Sequence, residues 1–476
     1  MNQKIVKESR LTRFVENPRK ALWNLAVPMM LGMIVQTVYG IVDMIFIGRI
    51  GGDAITALAF NMPLVFFGLG IVFGLGSGVT TAIAQYIGSK DKQNADNSAE
   101  HGVVIGLVLG VIFTIIGLTW GKRLLAILGT PPHILPLAWD YFRVIATGYI
   151  FMVSSIFFRS ILSGEGDMKT PLKIQAGGTI LNIILDPIFI FGLNMGVKGA
   201  AFATVLSQVS VSLVYAYLML IREHAYISFS LKDFSLSKNI LARIFKIGIP
   251  ASFSMLIMSI GGGAFNKILI YFSSNAVAGY QVGTRMDHVF LMPVISIATS
   301  LVTLVGMFYG AKRLDLVRQI TYYAMSRSVL IGGIMGILFF ILAEPLISMF
   351  TVDYEILETG VQYLRYFVFA YPFIPIGMTS GRMLQGLGYG FPMLAITFLR
   401  VLLISVALAL LFVFLMNKPI EWIWISQVTA VICSSGISFI WLRLGLRRTE
   451  RSHMIGKDSV TTAILTGGPG QQVRGI

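Results

Sequence analysis

Roughly a dozen apolar runs, each about 20 residues long and separated by short polar stretches, constrain this chain more than any other feature. In hydrocarbon every backbone amide must find its partner within the protein, so a chain built this way spans a membrane as helices or as a closed barrel. A barrel would show alternating segments of about ten residues, and these are absent. The sequence therefore predicts an all-α integral membrane protein with about twelve transmembrane helices. The runs start near Ala21, Leu58, Gly102, Trp139, Pro171, Gly199, Phe245, Tyr280, Ser328, Val361, Met393 and Trp422. The first run is long and lacks a small-residue cleavage site, so it reads as a helix that stays in the protein.

Charged residues make up only 12% of the chain, and their placement carries the orientation. Lys4, Lys7, Arg10, Arg13, Arg19 and Lys20 precede the first run, Arg222 to Lys246 is rich in lysine and arginine, and Arg443 to Arg451 follows the last run. The alternate loops carry few basic residues, and the stretch with Asp353, Glu355 and Glu358 is acidic. Basic loops stay in the cytoplasm. The net charge of +15 thus reports topology, with both termini cytoplasmic, and does not point to a nucleic acid. The lone Cys433 rules out a disulfide framework, and the scattered His101, His133, His224, His288 and His453 argue against a zinc site.

Shifting the sequence by 222 positions lays Leu25-Ala26-Val27-Pro28 on Ile247-Gly248-Ile249-Pro250. The same shift pairs Gly88-Ser89-Lys90 with Gly310-Ala311-Lys312, Tyr141 and Arg143 with Tyr363 and Arg365, and Gly164 and Gly166 with Gly386 and Gly388. Each half then holds six helices, an even number, so a parallel internal repeat relates two six-helix lobes about an axis along the membrane normal. The expected divisions are a basic N-terminus at 1–20, a first lobe at 21–221, a linker at 222–246, a second lobe at 247–444 and a tail at 445–476. Gly70, Gly74 and Gly78, and Gly261-Gly262-Gly263, read as close packing, with a hinge or gate as the sharper alternative.

Two carboxylates sit in runs too apolar to hold them idly. Asn182 and Asp186 are four apart and share a helical face, and Pro187 leaves the carbonyl of Ile183 without its usual donor. Asp43 lies in an equally apolar run, with Tyr39 and Gln36 four and seven residues before it. A charge at mid-bilayer costs about 2.5 to 3.5 kcal/mol on insertion scales and marks an ion or substrate path by default. Together Asp43, Asn182 and Asp186 offer oxygen ligands for a proton or a hard cation. Thr204 in the next helix either adds a hydroxyl or bonds its own backbone. In the second half Asp287 either contacts substrate or pairs with Lys267 or Arg285. The repeat carries Asn182 and Asp186 onto Ile404 and Leu408, so the second half has no copy of that site.

Two enzyme motifs fail. Gly164-Glu165-Gly166-Asp167-Met168-Lys169-Thr170 has Met168 where a phosphate-binding loop needs glycine, and no strand precedes it. Its Gly-x-Gly-Asp also occurs in intramembrane aspartyl proteases, but Lys169-Thr170-Pro171 puts Asp167 at the membrane interface.

Val42-Asp43 with Gly48-Arg49, the loop Gly164 to Pro171, and Asn182 to Pro187 followed by Gly196 to Ala201 resemble the multidrug and toxic compound extrusion (MATE) transporters. The likeness runs from about Leu25 to Leu444 and is closest to the prokaryotic branch named for the DNA-damage-inducible F protein. It implies a two-lobed exporter, not an enzyme, that expels small organic and often cationic compounds in exchange for H⁺ or Na⁺, without a cofactor. On this resemblance Asp43, Asn182, Asp186 and Thr204 are the ion-coupling positions, where Na⁺ is the only metal to consider. Gln36, Tyr39, Tyr141 and Asp287 are the substrate-cavity positions. The implied setting is the cell (inner) membrane, with lipid and small-molecule substrate as partners and a monomer as the expected state. The competing function is a lipid-linked oligosaccharide flippase, which Lys267, Arg285 and Arg400 keep open by offering cations to a pyrophosphate.

Overall fold

The structure is a computed structural model that describes residues 9–222, 226–229 and 234–465, with side chains up to 451. Lys4, Lys7 and Lys232 of the basic stretches, His224 and the side chain of His453, and the end of the tail lie outside the residues so described. Among the described residues, eleven helices are long and apolar enough to cross a membrane. In the first lobe these are α1 (Pro18–Gly48), α2 (Gly52–Gly88), α3 (Lys92–Ile127), α4 (Leu135–Gly164), α5 (Lys169–Gly192) and α6 (Val197–Ile221). In the second they are α7 (Lys238–Leu269), α8 (Ser274–Gly310), α9 (Leu314–Ile341), α11 (Phe391–Leu415) and α12 (Glu421–Arg451). The crossing between α9 and α11, called α10, is broken into Tyr354–Phe367 and Ile374–Gly386. Pro372 and Pro375 supply no N–H at the break, which is why the expected single helix is two pieces.

Helix ends follow local chemistry. Pro18 opens α1, where a missing N–H costs nothing, and the Ser273 hydroxyl accepts from Ala276 N–H at 2.9 Å to start α8. α7 begins at Lys238, with Ser237 as its cap, so the polar link expected up to Lys246 is shorter than its composition suggests. Lysines and an arginine in that stretch form the first turns of a helix whose apolar face holds the buried Ile240 and Ile244.

The repeat is visible in the backbone. Positive φ recurs at Lys90 (60°) and Lys312 (57°), at Gly166 (81°) and Gly388 (98°), and at Asn194 (53°) and Asn417 (48°). The lobes meet along α2 against α7 and α8, and along α1 against α8. A side chain at Gly88 would collide with the carbonyl of Met307, and one at Gly310 with the carbonyl of Gln85, its counterpart under the same shift. Such an exchanged contact is what a twofold relation produces. Both helices end there, which sets the axis along the bundle. Gly74 against Ser252 and Gly78 against the Ile244 carbonyl confirm close packing as the role of that stripe, whereas Gly262 and Gly263 face open space.

One end of the bundle, the basal end, carries the short helix Leu11–Glu16 and the connection between the lobes. Here the lobes are tied by Gln85 Nε2 to the Gly386 carbonyl at 2.9 Å, Thr303 Oγ1 to the Ser163 carbonyl at 2.9 Å, and Trp23 Nε1 to the Tyr323 hydroxyl at 3.1 Å. The connection itself is latched to the first lobe. Glu165 Oε2 accepts from the backbone of Tyr226 and Ile227, Asp96 accepts from Ser228 N–H, and His101 Nε2 from Ser237 N–H. Burial pushes the Glu165 carboxyl up to about 7, against the pull of those donors and of Arg10. Asp167 is buried too, but the 2.9 Å ion pair with Arg10 and the Thr170 donors outweigh that and hold it below its ordinary value.

Candidate ion and substrate sites

α1 and α5 both start at the basal end and pack against each other, so Asp43 and Asp186, late in each, arrive together near the other end. Asp186 is wholly buried and Asn182 is 2% exposed. With the Asn182 amide oriented to satisfy both its atoms, its nitrogen donates to Asp186 Oδ2 at 3.0 Å and its oxygen accepts from Thr204 N–H at 3.2 Å. The Thr204 hydroxyl shares a hydrogen bond with the Tyr39 hydroxyl at 3.3 Å. Past Pro187 the helix widens, and Leu193 N–H reaches back five residues to the Ile188 carbonyl at 2.8 Å.

Asp43 lies within electrostatic reach of Asp186, Tyr39 and Tyr141, and its Oδ1 is buried without a hydrogen-bond partner. The structure thus gathers Asp43, Asn182, Asp186, Thr204, Tyr39 and Tyr141 in one place. A buried oxygen left open beside a second carboxylate can take up a proton or a small cation, because a bound cation offsets both desolvation and repulsion.

Gln36, two turns along α1 from Asp43, lies instead on the wall of a cavity of about 360 Å³ between the lobes. Methionines 29, 33, 255 and 393 give it adaptable apolar surface. Two arginines missed as site residues by the sequence reading, Arg159 of α4 and Arg382 of α10, also line it. Arg159 was legible as a single basic residue in an apolar run; which way it faces was not.

Asp287 does not join this wall. It is 8% exposed inside the second lobe, where it accepts hydrogen bonds from the hydroxyls of Tyr363 and, at 2.8 Å, Tyr371. Tyr371 is stacked on Phe290 at 3.9 Å, so the acid sits in an aromatic box. Lys267 and Arg285, its expected ion-pair partners, are exposed, and Arg285 lies over the Phe350 ring.

Two six-helix membrane lobes around a central cavity define a membrane transporter rather than an enzyme. The MatE family model matches residues 28–188 and again 250–411, once in each lobe, and the chain belongs to that family. The multidrug export protein MepA of Staphylococcus aureus (strain MSSA476) is 28% identical over 390 residues, 81% of this chain and 85% of its own. A crystal structure of MATE in complex with MaL6 superposes with a TM-score of 0.89 at 31% identity, covering 94% of this chain and all of that one. A transporter of the MOP superfamily from Pyrococcus furiosus Vc1, described as having a binding pocket of reverse polarity, gives a TM-score of 0.89 at 32% identity over 94% and 99% of the two chains. The chain is therefore a multi-pass transporter of small molecules.

Proposed function

We propose that this protein exports organic compounds, cations among them, by antiport against H⁺ or Na⁺, with Asp43, Asn182, Asp186 and Thr204 as the ion site. The observation that carries this reading is the unpartnered Oδ1 of Asp43 next to Asp186 in a polar cluster confined to the first lobe. With the ion bound, the first lobe can close around neutralised acids; with the ion gone, repulsion favours a hydrated, opened site. The ion biases the transporter only through its different affinity for the two states, which is what couples its gradient to export. Tyr39 and Tyr141 stand beside the acids, Tyr39 bonded to Thr204, and Gln36 lines the substrate cavity. First-lobe acids are also the feature shared with the DNA-damage-inducible F branch.

By the positive-inside rule the basic residues at the basal end support a cytoplasmic setting for that end, for both termini and for the connection between the lobes, in a protein of the cell membrane. The hydrogen bonds between lobes at that end then close the inward side. The test is export by purified protein in liposomes with a pH gradient and a Na⁺ gradient imposed separately. One gradient should drive export in the unmodified protein and fail in Asp43→Asn and Asp186→Asn. Export at the unmodified rate in either variant would sink the proposal.

A further inference from the structure

Arg159 and Arg382 stand one from each lobe on the wall of the same cavity, five residues before Gly164 and four before Gly386, so the twofold repeat sets them across the seam from one another. Arg159 lies over the face of Phe73, 5.2 Å from the ring centre, within electrostatic reach of the Tyr215 hydroxyl. Arg382 donates from Nη1 to Gln385 Oε1 at 3.0 Å, while its Nε is buried with no acceptor. Gln385 is held in turn, donating to Ser77 Oγ at 2.7 Å, so the Arg382 guanidinium is positioned rather than loose. Among the described residues that line the cavity, none is acidic.

Two half-buried guanidiniums with no carboxylate on the cavity wall are costly. A ring face compensates Arg159 only in part, and a neutral amide compensates Arg382 only in part. What both lack is an oxyanion. Guanidinium forks bind carboxylate, sulfonate and phosphate oxygens two at a time, and the Gln175 amide on the same wall can add a donor, the hydroxyls of Thr80, Ser160 and Ser163 being already given to backbone carbonyls. The methionines and Phe73 around them suit an apolar body attached to that head.

We infer that Arg159 and Arg382 form an anion subsite in the inter-lobe cavity, for the negatively charged head of an amphiphile. Met29, on the same wall, lies 14 residues before Asp43, roughly 21 Å along α1. The cavity then has a basic floor and, beyond it, an acidic ion site, and the substrates extend from cations to zwitterions and monoanions. The inference rests on the reading of this cavity as the substrate path, but its test uses binding and no gradient. Its failure would leave ion coupling standing, and failure of ion coupling would leave it standing.

The experiment uses the full chain in nanodiscs of phosphatidylcholine, titrated by calorimetry with naphthalene-2-sulfonate and with its cationic counterpart, naphthalen-2-yltrimethylammonium. The sulfonate should bind, and Arg159→Gln and Arg382→Gln should each weaken it by about tenfold, the scale of one charge-assisted contact. Binding of the cation should be unchanged or tightened, which shows that the variants are folded. Arg159→Lys and Arg382→Lys keep the charge and should lose less than the glutamine variants. Substituting phosphatidylglycerol for part of the lipid separates two sources of the anion. A fall in sulfonate affinity in the unmodified protein alone identifies a lipid phosphate as a competitor, and no fall identifies soluble amphiphiles. A sulfonate that does not bind, or binds both glutamine variants as tightly as the unmodified protein, overturns the subsite.

Discussion

Asp287 in the second lobe and Asp43 in the first are both carboxylates in membrane helices, yet one is filled and the other is open. Two tyrosine hydroxyls complete Asp287 from within its own lobe, and Phe290 stacks over the outer tyrosine. Asp43 keeps a buried oxygen without a partner and faces a second acid. A polar group whose bonds are all satisfied stiffens a core, whereas one left unsatisfied invites a ligand. The lobes share a backbone, and on the proposed reading they divide the labour: the first titrates or binds, and the second holds its shape.

The largest effect should separate these acids. We expect Asp186→Asn and Asp43→Asn to reduce gradient-driven export in proteoliposomes to the level of empty vesicles, while Asp287→Asn retains gradient dependence. Loss of coupling in Asp287→Asn, with normal expression and a monodisperse profile, would break the division. Next come substitutions on the seam that the lobes share. Gly88→Leu and Gly310→Leu push a side chain into equivalent backbone carbonyls, so both should destabilise the protein by a similar amount, about 1–3 kcal/mol or more, in thermal unfolding. A large effect of one and none of the other would show that the twofold seam is not shared equally.

A comparable cost, without loss of coupling, should follow Tyr363→Phe and Tyr371→Phe. Each leaves Asp287 one donor short, and a buried acceptor deprived of its partner costs about 1–3 kcal/mol. The readout is the unfolding midpoint set beside the export rate. The smallest effect lies outside the membrane, at Glu165. Its folded value of about 7 stands above the ordinary 4.5, so the folded state binds the proton more readily. The stability this contributes is complete below about 4.5 and fades as pH rises towards about 7. Glu165→Gln should flatten stability against pH across that window, and an unchanged slope would count against the burial of this carboxyl.

Much of this was legible in the sequence, and what was not has a common cause. The apolar runs fix the helices because hydrocarbon forbids other backbone, and the shift of 222 survives in structure as repeated turns at Lys90 and Lys312. Asn182 and Asp186 could be paired on paper because helical geometry alone puts them on one face. Asp287 could not be matched to its partners, because Tyr363, in the first piece of α10, and Tyr371, in its break, are 76 and 84 positions away. The basic neighbours Lys267 and Arg285 were the nearer guess. The break in α10 turns Tyr371 towards Asp287, and proline spacing indicates a break without its direction. The inward aim of Arg159 and Arg382 depends on how the lobes dock, which periodicity within one helix cannot encode.

The division between the lobes is tested most directly by counting the cation that substrate displaces. Purified protein in weakly buffered detergent solution is mixed with a transported organic cation, and release of H⁺ is followed with a pH dye and release of Na⁺ with ²²Na⁺. The account predicts substrate-evoked release from the unmodified protein and from Asp287→Asn, and none from Asp186→Asn. Release that persists in Asp186→Asn and disappears in Asp287→Asn would contradict it.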